Sequence, residues 1–224
     1  MPALPNLTPL RPLSLSLSLS LPRRLKLETQ DLHAATERTG AMAEMLAGRL
    51  PHAGYLALLR NLHTVYAALE DGLQGPQAHA AARRVDDSAL HRAAALAADL
   101  QSLHGPLWRG EIPALPAALA YAARLQQLAK DGSAALVAHV YARYLGDLHG
   151  GQILKRLVWR SYGDTTATAF YEFGDEARVL ALRQSLRQAL SDLPITAVEV
   201  DAIVAEARWA FLQHQHLFQE LASV

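Results

Sequence analysis

From Arg23 to the carboxyl end, apolar residues recur at three- and four-residue spacing in runs rich in alanine and leucine, and the β-branched alternation that builds strands is scarce. That periodicity confines the chain to an all-α fold, because a stripe of period 3.6 covers one face of a helix and neither face of a strand. Breaks fall at Gly40, at Pro51, from Gly72 to Pro76, at Gly105 and Pro106, around Pro113 and Pro116, from Asp131 to Ser133, from Gly163 to Thr166 and from Leu193 to Thr196. About seven or eight helices remain between them. Ser133 is placed to cap the helix running through Tyr144, and Thr196 with Glu199 has the pattern of a capping box for the last helix. A length of 224 residues without internal repeats suits one helical bundle over residues 23–224.

Residues 1–22 have another pattern. Leu13 to Leu21 alternates leucine with serine between Pro12 and Pro22. A secretory signal needs an unbroken apolar stretch and a small-residue cleavage site, whereas here the apolar residues are interrupted, Arg11 is the single upstream cation and no such site comes after them. The segment reads as a low-complexity leader, expected to be disordered. No stretch approaches the roughly 20 apolar residues that cross a bilayer, so the expectation is a cytoplasmic protein with no membrane partner. The balance of 21 Lys+Arg against 21 Asp+Glu removes the overall cationic field on which nucleic-acid binding relies. With no cysteine, disulfides, thiolate catalysis and iron–sulfur clusters are excluded, and any metal must be held by histidine or carboxylate.

One helical segment, Ala138 to Gln152, carries Gly146, Gly150 and Gly151. A glycine inside a helix costs about 1 kcal/mol relative to alanine, so three of them demand a use. Close packing against a neighbouring helix is one such use. At about 100° per residue, however, His139, Arg143, Gly146, Asp147, Gly150 and Gly151 share one broad face, while Tyr141, Tyr144, Leu148 and His149 turn away from it. Bare backbone beside an arginine and an aspartate suits the wall of a site better than a dry helix contact, where each charge would need an internal partner. A flat ligand can approach the backbone there, with Arg143 and Asp147 holding a polar network beside it, and the paired glycines let the helix kink.

The run from Tyr144 to Gln152 resembles the Tyr-Leu-Gly-Asp-Leu-x-Gly-Gly-Gln signature on the distal helix of the haem oxygenases. Further segments carry the same resemblance: Lys26 to Glu37 is similar to the family's proximal helix, Val65 to Glu70 to its next helix, and Leu90 to Arg92, Phe170 to Phe173, Ala207 to Leu212 and Leu217 to Leu221 continue it. It spans the chain from about Lys26 to the end and implies a haem-oxygenase-like bundle with a kinked distal helix. By position in that pattern, His33 is the implied proximal iron ligand, a role suited to a neutral imidazole. Glu37, four residues on, lies on the same helical face and is placed to accept the other ring N–H. Among 10 histidines only this position singles out His33. His139 is read as support for the distal helix, and His214 and His216 have no role. Lys26, Arg183 and Arg187 are implied at the haem carboxylates, the two arginines as i,i+4 neighbours. Two departures stand out: Gln30 replaces a second basic residue four positions after Lys26, and His149 occupies the variable position of the signature.

The resemblance implies conversion of haem to biliverdin, carbon monoxide and ferrous iron with O2 and supplied electrons, haem being substrate and cofactor at once. Gly146 and Gly150 would leave room over the ligand, with Gly151 beside them, and Asp147 would anchor a water that relays a proton, braced by Arg143 and Tyr66. A haem carrier or sensor would keep His33 and the cationic edge without turnover, but has less use for Arg143 and Asp147 on the distal face. A di-iron oxidase would need Glu-x-x-His pairs, and no histidine here has an acid three residues before it. No nicotinamide or flavin fingerprint of the Rossmann kind is present, so the reductant is external, a redox partner such as a ferredoxin or a reductase, acting on a monomer.

Overall fold

The first helix, α1 (Leu21–Thr36), opens with Pro22 in its first turn, where a missing N–H leaves no hydrogen bond unmade, and buries Leu21, Leu25 and Thr29. It starts two residues ahead of the boundary expected at Arg23, because Leu21, the last leucine of the alternating stretch, anchors in the core. The computed structural model describes residues 19–163 and 166–223, so most of the leader expected over residues 1–22 lies outside the described residues.

The remaining helices are α2 (Gly40–Leu46), α3 (His52–Gln74), α4 (Ala80–Val85), α5 (Ala93–Leu103), α6 (Trp108–Glu111), α7 (Pro116–Lys130), α8 (Val137–Val140), α9 (Gly146–Tyr162), α10 (Glu176–Ser191) and α11 (Ala197–Leu221). Among the described residues there is no strand, and seven of the helices, α1 included, reach eleven residues or more, the number the breaks in the sequence imply. Short α2, α4, α6 and α8 carry too few turns to leave a periodic signal. The capping box at the start of α11 is formed, with Thr196 and Glu199 each satisfying the other's backbone N–H.

Long α3 buries Leu58, Leu62, Val65, Tyr66, Leu69 and Leu73 and packs along α7, while α1 packs along α11. Where α2 turns back onto α11, Gly40 adopts φ +46°, and a Cβ there would stand 2.0 Å from the carbonyl oxygen of Phe218, so no other residue fits. Two buried acids tie loops to this frame. Glu70 accepts from the backbone N–H of Arg92 (2.5 Å) and Ala93 (3.1 Å) at the start of α5. Asp99 accepts from Ala169 and Phe170, both at 2.8 Å, which sets Phe170 edge-on against Tyr66.

Helices α8 and α9 belong to one run broken by a π-helical turn over Tyr141–Leu145. The distortion expected at the paired glycines, Gly150 and Gly151, thus lies more than one turn ahead of them, and Gly146 between keeps ordinary helical angles (φ −61°, ψ −49°). A π turn inserts an extra residue into the helical ladder, which rotates the faces of α9 relative to those of α8.

Candidate functional site

α1 and α9 both line a cleft of about 360 Å3, a size usual for cofactor and small-molecule sites. Most of its lining is apolar, from Met45, Leu58, Leu62, Phe170, Phe211 and Phe218. α1 and the turn after it contribute His33 and Glu37, and the distal run contributes Arg143, Gly146, Asp147 and Gly150.

The side chain of His33 is 54% exposed, stands edge-on to Phe211 at 5.8 Å between ring centres, and has no hydrogen-bond partner on Nε2 among the described residues. Its Nδ1 lies 3.8 Å from Glu37 Oε1, longer than a hydrogen bond, so the orienting contact expected between them is an approach rather than a bond. A Cβ added at Gly146 or at Gly150 would meet nothing within 4 Å. Close helix packing therefore does not explain these glycines, and their bare backbone opens onto the cleft. Gly151 differs from the expectation: it is buried, its Cβ would touch Tyr171 at 3.8 Å, and it does not line the cleft.

Beside the glycines, Arg143 and Asp147 are each 11% exposed at the side chain. Nε and Nη2 of Arg143 both donate to the hydroxyl of Tyr66, at 3.0 and 2.9 Å. That hydroxyl donates in turn to Asp147 Oδ2. The direction is forced, since a guanidinium has only donors and the phenol must send its single proton onward. Oδ1 of Asp147 stays 3.9 Å from Arg143 Nη2. Burial pushes the Asp147 carboxyl upward against the opposing pull of Arg143 and the Tyr66 hydroxyl. Burial also weakens the charge on Arg143, but Tyr66 and Asp147 outweigh it and the guanidinium stays charged.

At the cationic edge the three expected residues separate. Lys26 is exposed on α1 and does not line the cleft. Arg183 donates through Nε and Nη2 to the carbonyl of Leu148, at 3.0 and 2.7 Å, which commits it to holding α10 against α9. Arg187 is exposed and donates to His149 Nε2 at 2.9 Å. His149, expected to turn away, lines the cleft because its Nδ1 donates to the Leu145 carbonyl at 2.6 Å and folds the ring back over the preceding turn. His139 lies fully buried behind the cleft, between Tyr121 (2.9 Å) and Glu206 (3.2 Å). His214, to which sequence reasoning gave no role, is 3% exposed, lines the cleft and accepts from Arg143 Nη1. Its spacing from Phe211 and Phe218, three and four residues, is the signal that places all three on one buried face.

A family model described as "Heme oxygenase" matches residues 19–220. The protein named "Heme oxygenase 1" in Nostoc sp. is 35% identical over 207 residues, covering 92% of this chain and 87% of its own. "Heme oxygenase 1" of Homo sapiens is 32% identical over 215 residues, 94% of this chain and 75% of its own. The crystal structure of heme oxygenase-1 from Synechocystis sp. in complex with heme superposes with a TM-score of 0.85 at 36% identity, over 92% of this chain and 93% of that one. Heme oxygenase-2 from Synechocystis sp., in complex with heme and NO, gives 0.86 at 32% identity, over 91% and 85%. Sequence, fold and the glycine-walled cleft agree over the same stretch of chain, and the protein belongs to the haem oxygenase family.

Proposed function

We propose that the chain cleaves haem to biliverdin, carbon monoxide and ferrous iron, with O2 as co-substrate and electrons from an external redox protein such as a ferredoxin or a reductase. The observation that carries this reading is the pairing of bare backbone at Gly146 and Gly150 with a buried Arg143–Tyr66–Asp147 network on the same wall. A flat macrocycle fits these residues: open space stands over the glycines, an imidazole with a free Nε2 faces the same cleft, and the remaining lining is apolar. Haem bound there supplies the iron that takes O2 and the porphyrin carbon that is oxidised.

His33 would hold the iron through Nε2, and Glu37 would orient the ring, since both side chains are more than half exposed and a small rotation closes the 3.8 Å gap. Gly146 and Gly150 leave room above the macrocycle. Asp147 keeps Oδ2 for Tyr66 and presents Oδ1, whose 3.9 Å separation from Arg143 suits a bridging water better than a direct bond. Asp147 thereby holds a proton donor at one remove from the reacting atoms, and Arg143 and Tyr66 keep its carboxylate oriented. For the haem carboxylates, Arg187 is the candidate cation, since it donates to His149 of the cleft lining, whereas Lys26 is exposed on α1 and Arg183 acts through the position of α9. Among the described residues no helix is long and apolar enough to cross a membrane.

Haem titration and then a single turnover with O2 and a chemical reductant test the reading. One equivalent should bind and biliverdin should form, whereas Asp147→Ala should bind haem normally and form little biliverdin. Stoichiometric binding with no biliverdin from the unaltered chain would leave a carrier or sensor. Normal biliverdin from the variant would remove Asp147 from proton delivery.

A further inference from the structure

We propose that His214 is a positioning residue of the distal wall, holding the Arg143 guanidinium in the one orientation that turns the Tyr66 hydroxyl proton onto Asp147. The proposal rests on the function proposed above and concerns a residue for which the sequence offered no role. Its starting point is the donor count. Arg143 has five N–H groups and no acceptor. Two of its nitrogens, Nε and Nη2, converge on Tyr66, and Nη1 donates to His214 Nε2. Among the described residues no carboxylate lies within hydrogen-bond distance of this buried cation, because Asp147 Oδ1 stands off at 3.9 Å. Without an acceptor at Nη1, the guanidinium would rotate to pair directly with Asp147, the usual resting place for a buried arginine. Tyr66 would then lose the donors that oblige it to point its own proton at Oδ2.

His214 can serve as that acceptor only if Nε2 is bare, and the surroundings keep it so. The ring is 3% exposed and lies beside a guanidinium, both of which disfavour the imidazolium form, and a neutral ring that accepts on Nε2 carries its one proton on Nδ1. The ring is also fixed in place. It stands edge-on to Tyr121 at 5.1 Å and packs against Phe218 at 6.1 Å. Tyr121 is itself tied to His139 (2.9 Å), His139 to Glu206 (3.2 Å), and Glu206 to Arg124 through two bonds of 3.1 and 2.6 Å. A line of contacts thus runs from Arg124 at the surface to the back of His214, so the acceptor for Arg143 is fixed from α7 and α11, with His139 of α8 as the link between them.

The test uses the full chain with two substitutions. His214→Gln keeps an acceptor oxygen close to the position of Nε2, and His214→Leu keeps bulk without an acceptor. In haem-free protein at pH 7, ring 15N shifts should show His214 protonated on Nδ1 and bare on Nε2. A His214 imidazolium, or the opposite tautomer, overturns the proposal without reference to haem. In the loaded protein, His214→Leu should lose biliverdin formation by at least about tenfold with haem affinity within about twofold, and His214→Gln should recover most of it. Equal turnover in the two variants, whether both high or both low, overturns the proposal, because a purely space-filling role would not distinguish them. If the unaltered chain fails to bind haem, the functional reading fails on that result, and the 15N measurement still decides the role of His214.

Discussion

Replacing Gly146 and Gly150 together by alanine sets the preference of the helix against the needs of the cleft. Both positions lie in helical backbone, and neither new Cβ meets an atom within 4 Å. Each substitution should therefore recover the helical propensity that glycine forfeits, about 1 kcal/mol, or about 2 kcal/mol for the pair. In a chain of this size that corresponds to a rise of about 4–8 °C in the melting temperature of the haem-free protein. The same two methyl groups project into the space over the proposed macrocycle. Overpacking of about 1–3 kcal/mol predicts a roughly five- to 150-fold loss in haem affinity or turnover. Thermal unfolding without haem and single turnover with haem are the paired assays. Gly151→Ala serves as the comparison on the same helix, because its Cβ makes an ordinary 3.8 Å contact with Tyr171 away from the cleft and should leave turnover unchanged. Gly40→Ala should destabilise instead, by collision with the Phe218 carbonyl. A double variant at Gly146 and Gly150 that turns over like the parent would refute the argument that these glycines exist for a ligand. A lower melting temperature would refute the argument that they burden the helix.

The same geometry sets three further outcomes. His33→Ala should remove the axial imidazole signature from the haem spectrum, and added imidazole should restore it; because the side chain is 54% exposed, melting of the haem-free protein should hardly move, and an unchanged spectrum would exclude His33 as the ligand. Arg183→Ala should cost about 2 kcal/mol in the haem-free protein by removing a charged donor pair from the Leu148 carbonyl, whereas Arg187→Glu should leave stability alone and redistribute the biliverdin isomers; the reverse assignment of the two effects would refute the division of roles. Burial pushes the Glu206 carboxyl up, but hydrogen bonds from His139 and Arg124 outweigh it and hold the group at about 2 against an ordinary 4.5. Since the folded value is the lower one, this contribution of about 3 kcal/mol is complete above pH 4.5 and is lost as pH falls toward 2, so Glu206→Gln should flatten the stability profile over that window in acid denaturation.

Helical periodicity sufficed for the all-α architecture and for most of its breaks, because burial of a 3.6-residue stripe is a local property of each segment. The glycines were legible for a related reason: their cost in a helix is intrinsic to the residue, and an unexplained cost marks a site. The spacing of Arg143 and Asp147 on the glycine face was legible as well, since four residues bring two side chains together on any helix. Other features depended on partners distant in the chain. Arg183 reads in the sequence as a carboxylate-binding cation, and nothing there shows that the Leu148 carbonyl, 35 residues away, takes N–H groups from its Nε and Nη2. An angular count turns His149 away from the glycine face, and it cannot include the pull of the Leu145 carbonyl that folds the ring back over the cleft. Leu21 read as the end of a low-complexity stretch, and its place in the core depended on the neighbours that bury it. His214 is the clearest case: three- and four-residue spacing put it on a buried face with Phe211 and Phe218, but only the approach of α11 to the distal run makes it the acceptor for Arg143. Which helices form is decided by short-range pattern, and which polar atoms meet is decided by packing between segments, because a hydrogen bond requires a partner within about 3 Å that spacing along the chain does not specify.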